Sequence, residues 1–406
     1  MLTVDAAYRL IVHSVAPRDP VSVPLAEAHG LVLAGAIQSD ADSPPFDKSM
    51  MDGYAVRSID IAAGAEFPVA AEIMAGKVFT GTLQAGEAIR IMTGAPIPTG
   101  ADAVVRVEET ETLAEGGRVR FKIPALKKGR DIVPRGQSMR AGETVLPAGR
   151  LLRAPEIGLL AELGRAMVTV RPRPTIAVIA TGDELVPVDA KPGLAQIRNT
   201  NEPMLTAQIR QCGGEPRPLG IAKDDAADLE ARIRQGLESD IVCLSGGVSA
   251  GKLDLVPSTL TALGVEKVFH KLAMKPGKPL WFGRLPAERS PDRKSRWIFG
   301  LPGNPVSSMV CFDLFVRTAI RRLQGIDPAT PIAIPARIGT NLAFKDDRPT
   351  WLPVRVEWGA EGPLVYPVGW RGSSDLRATV EAHGTAHFPA GERQYVAGDA
   401  VSFFPW

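Results

Sequence analysis

The hydrophobic rhythm of the chain changes several times along its length. Met1 to Val15 carry apolar positions at helical spacing, interrupted by Asp5, Arg9 and His13, which predicts an amphipathic helix. From about Pro44 to Arg140 short apolar runs such as Gly86 to Met92 and Ala103 to Val107 are broken by Gly and Pro, the pattern of a small β-rich unit. A helix is predicted over Ala154 to Leu163, with Pro155 near its first position and Gly164 just past its end.

After the stiff segment Arg171-Pro-Arg-Pro174 the pattern becomes one of buried strands and helices in alternation. Thr175 to Ala180 is a continuous apolar run ending in the turn Thr181-Gly-Asp-Glu184. Helices are predicted from about Pro203 to Cys212, from Asp225 to Glu238 and near Pro257 to Leu263, and the strand Ile241 to Ser245 lies between the last two. Such alternation predicts a mostly parallel sheet covered on both faces. The clearest helix runs from Val306 to Leu323, with Asn304 placed to cap it and Pro305 in its first turn. Beyond the linker Asp327 to Pro331, residues 332–406 alternate as a small β-barrel or sandwich does.

Composition narrows the class. At 406 residues the chain exceeds one compact core, and 45% hydrophobic with 23% charged residues is ordinary for a globular protein. A net charge of +2 argues against a large nucleic-acid surface, and no stretch reaches the length of a membrane span. Cys212, Cys243 and Cys311 lie far apart with no zinc or disulfide spacing, and Met1 to Val15 lack a basic n-region followed by an apolar core, so no signal peptide is expected. A cytoplasmic protein is expected.

In an open parallel sheet the ligand sits beyond the carboxyl ends of the strands, and three loops hold that position. Ser245-Gly-Gly-Val-Ser-Ala-Gly-Lys-Leu-Asp254 is glycine-rich and can turn backbone N–H groups toward an anion, or be a plain surface turn. Gly246, Gly251 and Lys252 match the start of a P-loop, but Leu253 replaces the Mg²⁺-binding Ser or Thr and Pro257 falls within the next helix, so a P-loop NTPase is not expected. Met274-Lys-Pro-Gly-Lys-Pro279 sets Lys275 and Lys278 about a Pro-Gly turn, suited to an oxyanion or to solvent. In Thr181-Gly-Asp-Glu184 the paired acids could bind a hard cation or cap the next helix. Leu301-Pro-Gly-Asn-Pro305 feeds a helix N-terminus, another anion site with a structural alternative. By spacing alone, Pro44 to Tyr54 and Thr93 to Gly100 read as turns linking domains.

Seven segments together resemble the molybdopterin molybdotransferase family, known as MoeA in bacteria and as the E domain of gephyrin. They are P-P-F-D-x-S-x-M-D-G-Y-A at 44–55, T-G-A-P-I-P-x-G-A-D at 93–102, T-G-D-E-L at 181–185, N-T-N at 199–201, S-G-G-V-S-x-G-x-x-D at 245–254, M-K-P-G-K-P at 274–279 and L-P-G-N-P at 301–305. The resemblance implies a multidomain α/β protein: an elongated piece from residues 1–43 plus 140–170, an inserted β-rich domain at 44–139, a molybdopterin-binding α/β domain at 171–326 and a C-terminal β-barrel at 327–406. It implies a homodimer that joins molybdate to adenylylated molybdopterin, releasing AMP and leaving molybdenum cofactor, with Mg²⁺ as the usual cation. The molybdopterin adenylyltransferase and molybdoenzyme acceptors would be its further partners.

By the same resemblance Lys275 and Lys278 neutralise oxyanion charge, and Glu184 and Asp254 hold the metal. Ser245, Gly246, Gly247, Ser249 and Gly251 hold the pterin phosphate, while Pro302, Asn304, Pro305 and Ser373 complete the substrate seat. Asp52 and Thr93 would approach from the partner subunit. Lys48, Met50, Ser138 and Lys252 depart from the family pattern, which puts activity and metal preference in question. Two other functions compete: a molybdopterin adenylyltransferase, whose sister family generally lacks the insertion and the barrel, and a divergent non-catalytic paralogue.

Overall fold

The computed structural model describes residues 1–248 and 255–406. The chain divides into two compact units, one built from Met1–Gly35, Gly149–Ile157 and Ala166–Trp406 and the other from Ala36–Ala148 and Gly158–Arg165.

The larger unit centres on a six-stranded sheet in the order Glu215–Ala222, Thr175–Thr181, Ile241–Ser245, Arg296–Leu301, Trp281–Leu285, Glu266–His270. The first four strands are parallel; Trp281–Leu285 runs antiparallel to both of its neighbours, so the edge strand Glu266–His270 points the same way as the first four. Thr175–Thr181 and Ile241–Ser245 are buried at nearly every position, as unbroken apolar strands must be when helices cover both faces. On one face lie the N-terminal helix Val4–Ser14, the helix Asn201–Gln211 and the long helix that begins at Pro305; Ile11, Leu205, Ile209 and Ile320 join that core. Leu229 and Ile233 of Ala226–Gly236 and Val256 and Leu260 of Leu255–Ala262 cover the other.

The long helix departs from its prediction in two ways. It contains a π-helical turn, Phe312–Val316, between Pro305–Cys311 and Arg317–Leu323. Asn304 occupies the cap position with an extended backbone, but its side chain does not cap the helix. Pro305 has no N–H to offer, and the N–H of Val306 is already donated to the Ser373 carbonyl at 3.0 Å, so a loop of the barrel supplies the cap. The helix predicted over Ala154 to Leu163 spans Ala154–Glu162.

A closed five-stranded barrel follows, made of Ile334–Ile338, Gly362–Pro367, Thr350–Gly359, Gly384–Phe388 and Ala400–Pro405. Ile338, Val354, Val365, Phe388 and Phe403 fill it, so the predicted β region is a barrel rather than a sandwich. The smaller unit carries its own six-stranded sheet, ordered Ala103–Arg106, Gly53–Val56, Ala88–Ile91, Glu66–Ile73, Arg118–Phe121, Thr110–Leu113, over a core of Tyr54, Phe67 and Phe121. Among the described residues, no helix is long and apolar enough to cross a membrane.

Candidate active site

The carboxyl ends of the parallel strands open on one wide cavity of about 1420 Å³. Thr181, Gly182 and Glu184 line it from the first strand, Ser245, Gly246 and Gly247 from the next, and Pro302, Gly303, Asn304 and Pro305 from the third. Lys275 enters from the antiparallel edge, and Arg348, Arg371 and Ser373 from the barrel.

The loops are fastened to one another by a small polar network. Asn201 is nine-tenths buried, and its Nδ2 donates to Ser245 Oγ and to the Gly303 carbonyl, each at 2.7 Å. One side chain thus ties three loops together. The glycines serve the same close approach. Gly246 has φ +103°, and a Cβ there would stand 2.6 Å from the Thr181 carbonyl oxygen. Its N–H is donated to the Leu301 carbonyl at 3.1 Å, which corrects the expectation that this amide is free for a phosphate: it continues the parallel ladder.

The turn at 274–279 separates its two lysines. Lys275 lines the cavity and donates to Asp346 Oδ2 at 2.6 Å. Lys278 is exposed and is not among the lining residues, while its carbonyl accepts from the Leu272 N–H at 2.9 Å. Arg348 reaches the Met274 carbonyl with Nη1 at 3.0 Å and lines the cavity beside Lys275. Asn304 Nδ2 donates to Ser373 Oγ at 2.9 Å, joining the helix start to the barrel at the cavity wall.

Glu184 and Asp224 bring carboxylates to the cavity lining. Glu184 does not cap the following helix. That role belongs to Asn199, which accepts from the Glu202 N–H at 3.2 Å and donates back to its carboxylate at 2.7 Å. Carboxylate oxygens are donors that a hard cation takes. Among the described residues, no group of three or more His, Cys, Asp and Glu side chains is arranged to hold a metal. Ser249, Gly251, Lys252 and Asp254 lie outside the described residues.

In the smaller unit Asp52 and Thr93 meet. Asp52 Oδ1 accepts from the backbone N–H and from the hydroxyl of Thr93, both at 2.7 Å. These two bonds, the backbone one first, hold the exposed Asp52 carboxyl below its ordinary range, so it is a committed anion at neutral pH. Lys48 and Met50 belong to the same unit, where the Lys48–Ser49 strand pairs with Ile132–Val133.

Sequence reasoning missed Asn201 as a site residue, together with Asp224, Arg348, Arg371 and the partner of Lys275, Asp346. Asn201 stands in the N-T-N segment at 199–201, so its signal was the resemblance; Asp224 follows the strand Glu215–Ala222, which the hydrophobic pattern did not announce. The barrel residues were out of reach of a positional argument, because Asp346 lies 71 positions from Lys275 along the chain.

A parallel sheet whose loops bring cations, carboxylates and amides to one cavity at its carboxyl edge has the architecture of an α/β ligand-binding site. Residues 2–164 match the family described as MoeA N-terminal region (domain I and II), residues 177–322 the one described as "Probable molybdopterin binding domain" and residues 335–406 the one described as MoeA C-terminal region (domain IV). The molybdopterin molybdenumtransferase of Staphylococcus aureus (strain COL) is 33% identical over 409 residues, covering 98% of this chain and 94% of the relative. The molybdopterin molybdenumtransferase 2 of Mycobacterium tuberculosis (strain ATCC 25618 / H37Rv) is 37% identical over 349 residues, 82% of each chain. The crystal structure of the molybdopterin biosynthesis MoeA protein from Pyrococcus horikoshii OT3 superposes with a TM-score of 0.82 at 27% identity over 100% of both chains. The chain belongs to the MoeA family of molybdopterin molybdenumtransferases, and its general function is that of a transferase in molybdopterin biosynthesis.

Proposed function

We propose that the protein inserts molybdate into adenylylated molybdopterin, releasing AMP and leaving molybdenum cofactor. The observation that carries this reading is the placing of Lys275 and Arg348 on the same cavity as Glu184 and Asp224, with the Asn304–Ser373 contact in its wall. The cations suit an oxyanion, and the carboxylates suit a cation carried on a pyrophosphate. Molybdenum joins the dithiolene as its two thiols displace one molybdate oxygen, which leaves with their protons as water. Cleavage adds water across the pyrophosphate bond: the oxygen joins one phosphorus, the bridging oxygen leaves with the other, and AMP departs.

In this reading Lys275 and Arg348 offset the charge of the molybdate oxygens, and Gly247, Pro302, Asn304, Pro305 and Ser373 seat the phosphorylated pterin. Ser245 and Gly246 act one step back, holding the loops at the separation the seat needs. A divalent cation, expected to be Mg²⁺, supplies charge neutralisation at the pyrophosphate; Glu184 and Asp224 would hold it, with Asp254 as a further donor. Lys278 remains a second cation for a ligand that extends past the cavity edge. The protein acts as a homodimer, and the Asp52–Thr93 pair serves the cavity of the partner copy. The adenylyltransferase that supplies the substrate and the molybdoenzymes that take the product are its expected partners.

Incubating the pure protein with adenylylated molybdopterin, Mg²⁺ and molybdate is expected to release AMP. No release above buffer overturns the reading, and AMP transfer from ATP to free molybdopterin would make the protein an adenylyltransferase instead. If the parent protein failed to restore cofactor production in a cell that lacks this activity, the non-catalytic paralogue would be the better description.

A further inference from the structure

The ammonium of Lys275 is not left to the cavity alone. Its Nζ donates to Asp346 Oδ2 at 2.6 Å, and the Lys275 side chain is 46% exposed where that of Asp346 is only 8% exposed. Asp346 ends the strand Leu342–Asp346, beside the barrel, so this carboxylate is delivered from a different part of the fold. The two segments are sewn together by backbone. Lys275 N–H donates to the Pro349 carbonyl at 2.9 Å, and the Trp351 N–H donates to the Lys275 carbonyl at 2.8 Å. Main chain, rather than two flexible side chains, sets where the carboxylate stands.

Burial opposes the charge on Asp346. The hydrogen bond from Lys275, a contact with Asp347 and the Lys275 charge outweigh it and hold the carboxyl below its ordinary range. Asp346 is therefore ionised at neutral pH. An oxyanion arriving at Lys275 meets an ammonium that is already partly neutralised, with a fixed negative charge just behind it. Arg348 is similarly engaged, since its Nε donates to Asp347 at 3.2 Å while Nη1 holds Met274. For a site meant only to hold an anion tightly, Asp346 works in the wrong direction.

It works in the right direction for a transferase, which must give the oxyanion up. Ground-state binding that is not matched in the transition state deepens the well from which reaction starts. We propose that Asp346 is a positioning residue with a counter-charge role: it fixes Lys275 in place and keeps oxyanion binding there weak enough for transfer. The inference rests on the reading that molybdate is seated beside Lys275.

The test titrates the full-length protein with molybdate by calorimetry and follows AMP release at varied molybdate. Asp346→Asn keeps an acceptor for Lys275 and the side-chain volume but removes the charge. It is expected to bind molybdate about tenfold more tightly, the scale of one unit charge a few ångströms away at a partly exposed site. KM for molybdate and kcat are both expected to fall, and the gain in affinity is expected to shrink as salt rises. Asp346→Glu keeps the charge and is expected to bind as the parent does. Asp346→Ser offers a second neutral side chain if the amide variant melts early. A merely structural Asp346 gives the opposite sign, and weaker or unchanged molybdate binding in both neutral variants overturns the counter-charge role. If instead the parent binds no molybdate, or Lys275→Ala binds it as well as the parent, the seat itself is misassigned.

Discussion

At the scale of single residues, the cavity depends on positions that never need to touch a substrate. Gly246 is the sharpest case. Any Cβ there meets the Thr181 carbonyl at 2.6 Å, and φ +103° is a conformation that L side chains rarely adopt. Gly246→Ala is expected to cost about 3 kcal/mol of stability, read from the urea midpoint, because strain and a backbone clash add. Gly94, also at positive φ, has open space where its Cβ would be, and Gly94→Ala is expected to cost less. Asp52 makes a different residue-scale prediction. Its carboxyl is held low first by the Thr93 N–H and then by the Thr93 hydroxyl. Thr93→Val removes only the hydroxyl, so the Asp52 pKa is expected to rise part of the way toward the ordinary 3.8 without reaching it. A carbon-detected NMR titration of the Asp52 carboxyl measures this. An unchanged titration would mean that the hydroxyl bond contributes nothing to the anion. Since the folded-state value is depressed, the pair stabilises the fold above the ordinary pKa, and that contribution is lost as pH falls through the folded value.

At the scale of elements, the helix start at Ala154 shows how a local motif gains weight from tertiary placement. Glu156 in its first turn accepts from Arg150 Nε and Arg153 Nη2, each at 2.8 Å, and from the Arg153 N–H at 3.0 Å. The Arg153 side chain does most to lower its carboxyl, against the cost of burial, and the pKa falls from 4.5 to about 2. The contribution of this cluster is therefore complete above pH 4.5 and is lost as pH falls through about 2. Glu156→Gln is expected to lower the melting temperature at pH 7, with the difference from the parent closing toward pH 2; a constant difference across that range would assign the loss to packing. A first-turn acid is readable in sequence, as are Thr175–Thr181 and Ile241–Ser245, because burial on both faces demands an unbroken apolar run. The order in which those strands pair is not, since no residue carries a label for its neighbour. The π turn at Phe312–Val316 is also silent in sequence: Phe312, Leu314, Phe315 and Val316 keep the apolar content of an ordinary buried helix. For the same reason the Met274–Pro279 segment announced two lysines but not that only Lys275 lines the cavity.

At the scale of the whole molecule, the proposed homodimer raises the question of which copy of the chain would supply each charge. The cavity of the larger unit gathers Lys275, Arg348, Glu184 and Asp224 within one chain, whereas Asp52 and Thr93 lie in the smaller unit with their own mutual hydrogen bonds. If both groups act on one substrate but come from different copies, two defective proteins can repair each other. Asp52→Ala and Lys275→Ala are each expected to be nearly inactive alone, since each lacks one half of every site. When the two are unfolded, mixed in equal amounts and refolded, random pairing makes about half of the dimers hybrids. In each hybrid one site carries both defects and the other carries neither. Activity is then expected to recover to about a quarter of the parent's, a value set by the symmetry of a two-fold pair rather than by any property of the substitutions. If the two groups instead serve a site within one chain, every chain in the mixture remains defective and no activity returns. The comparison needs the hybrids to form, which light scattering on the refolded mixture and a tagged-subunit pull-down establish independently of turnover.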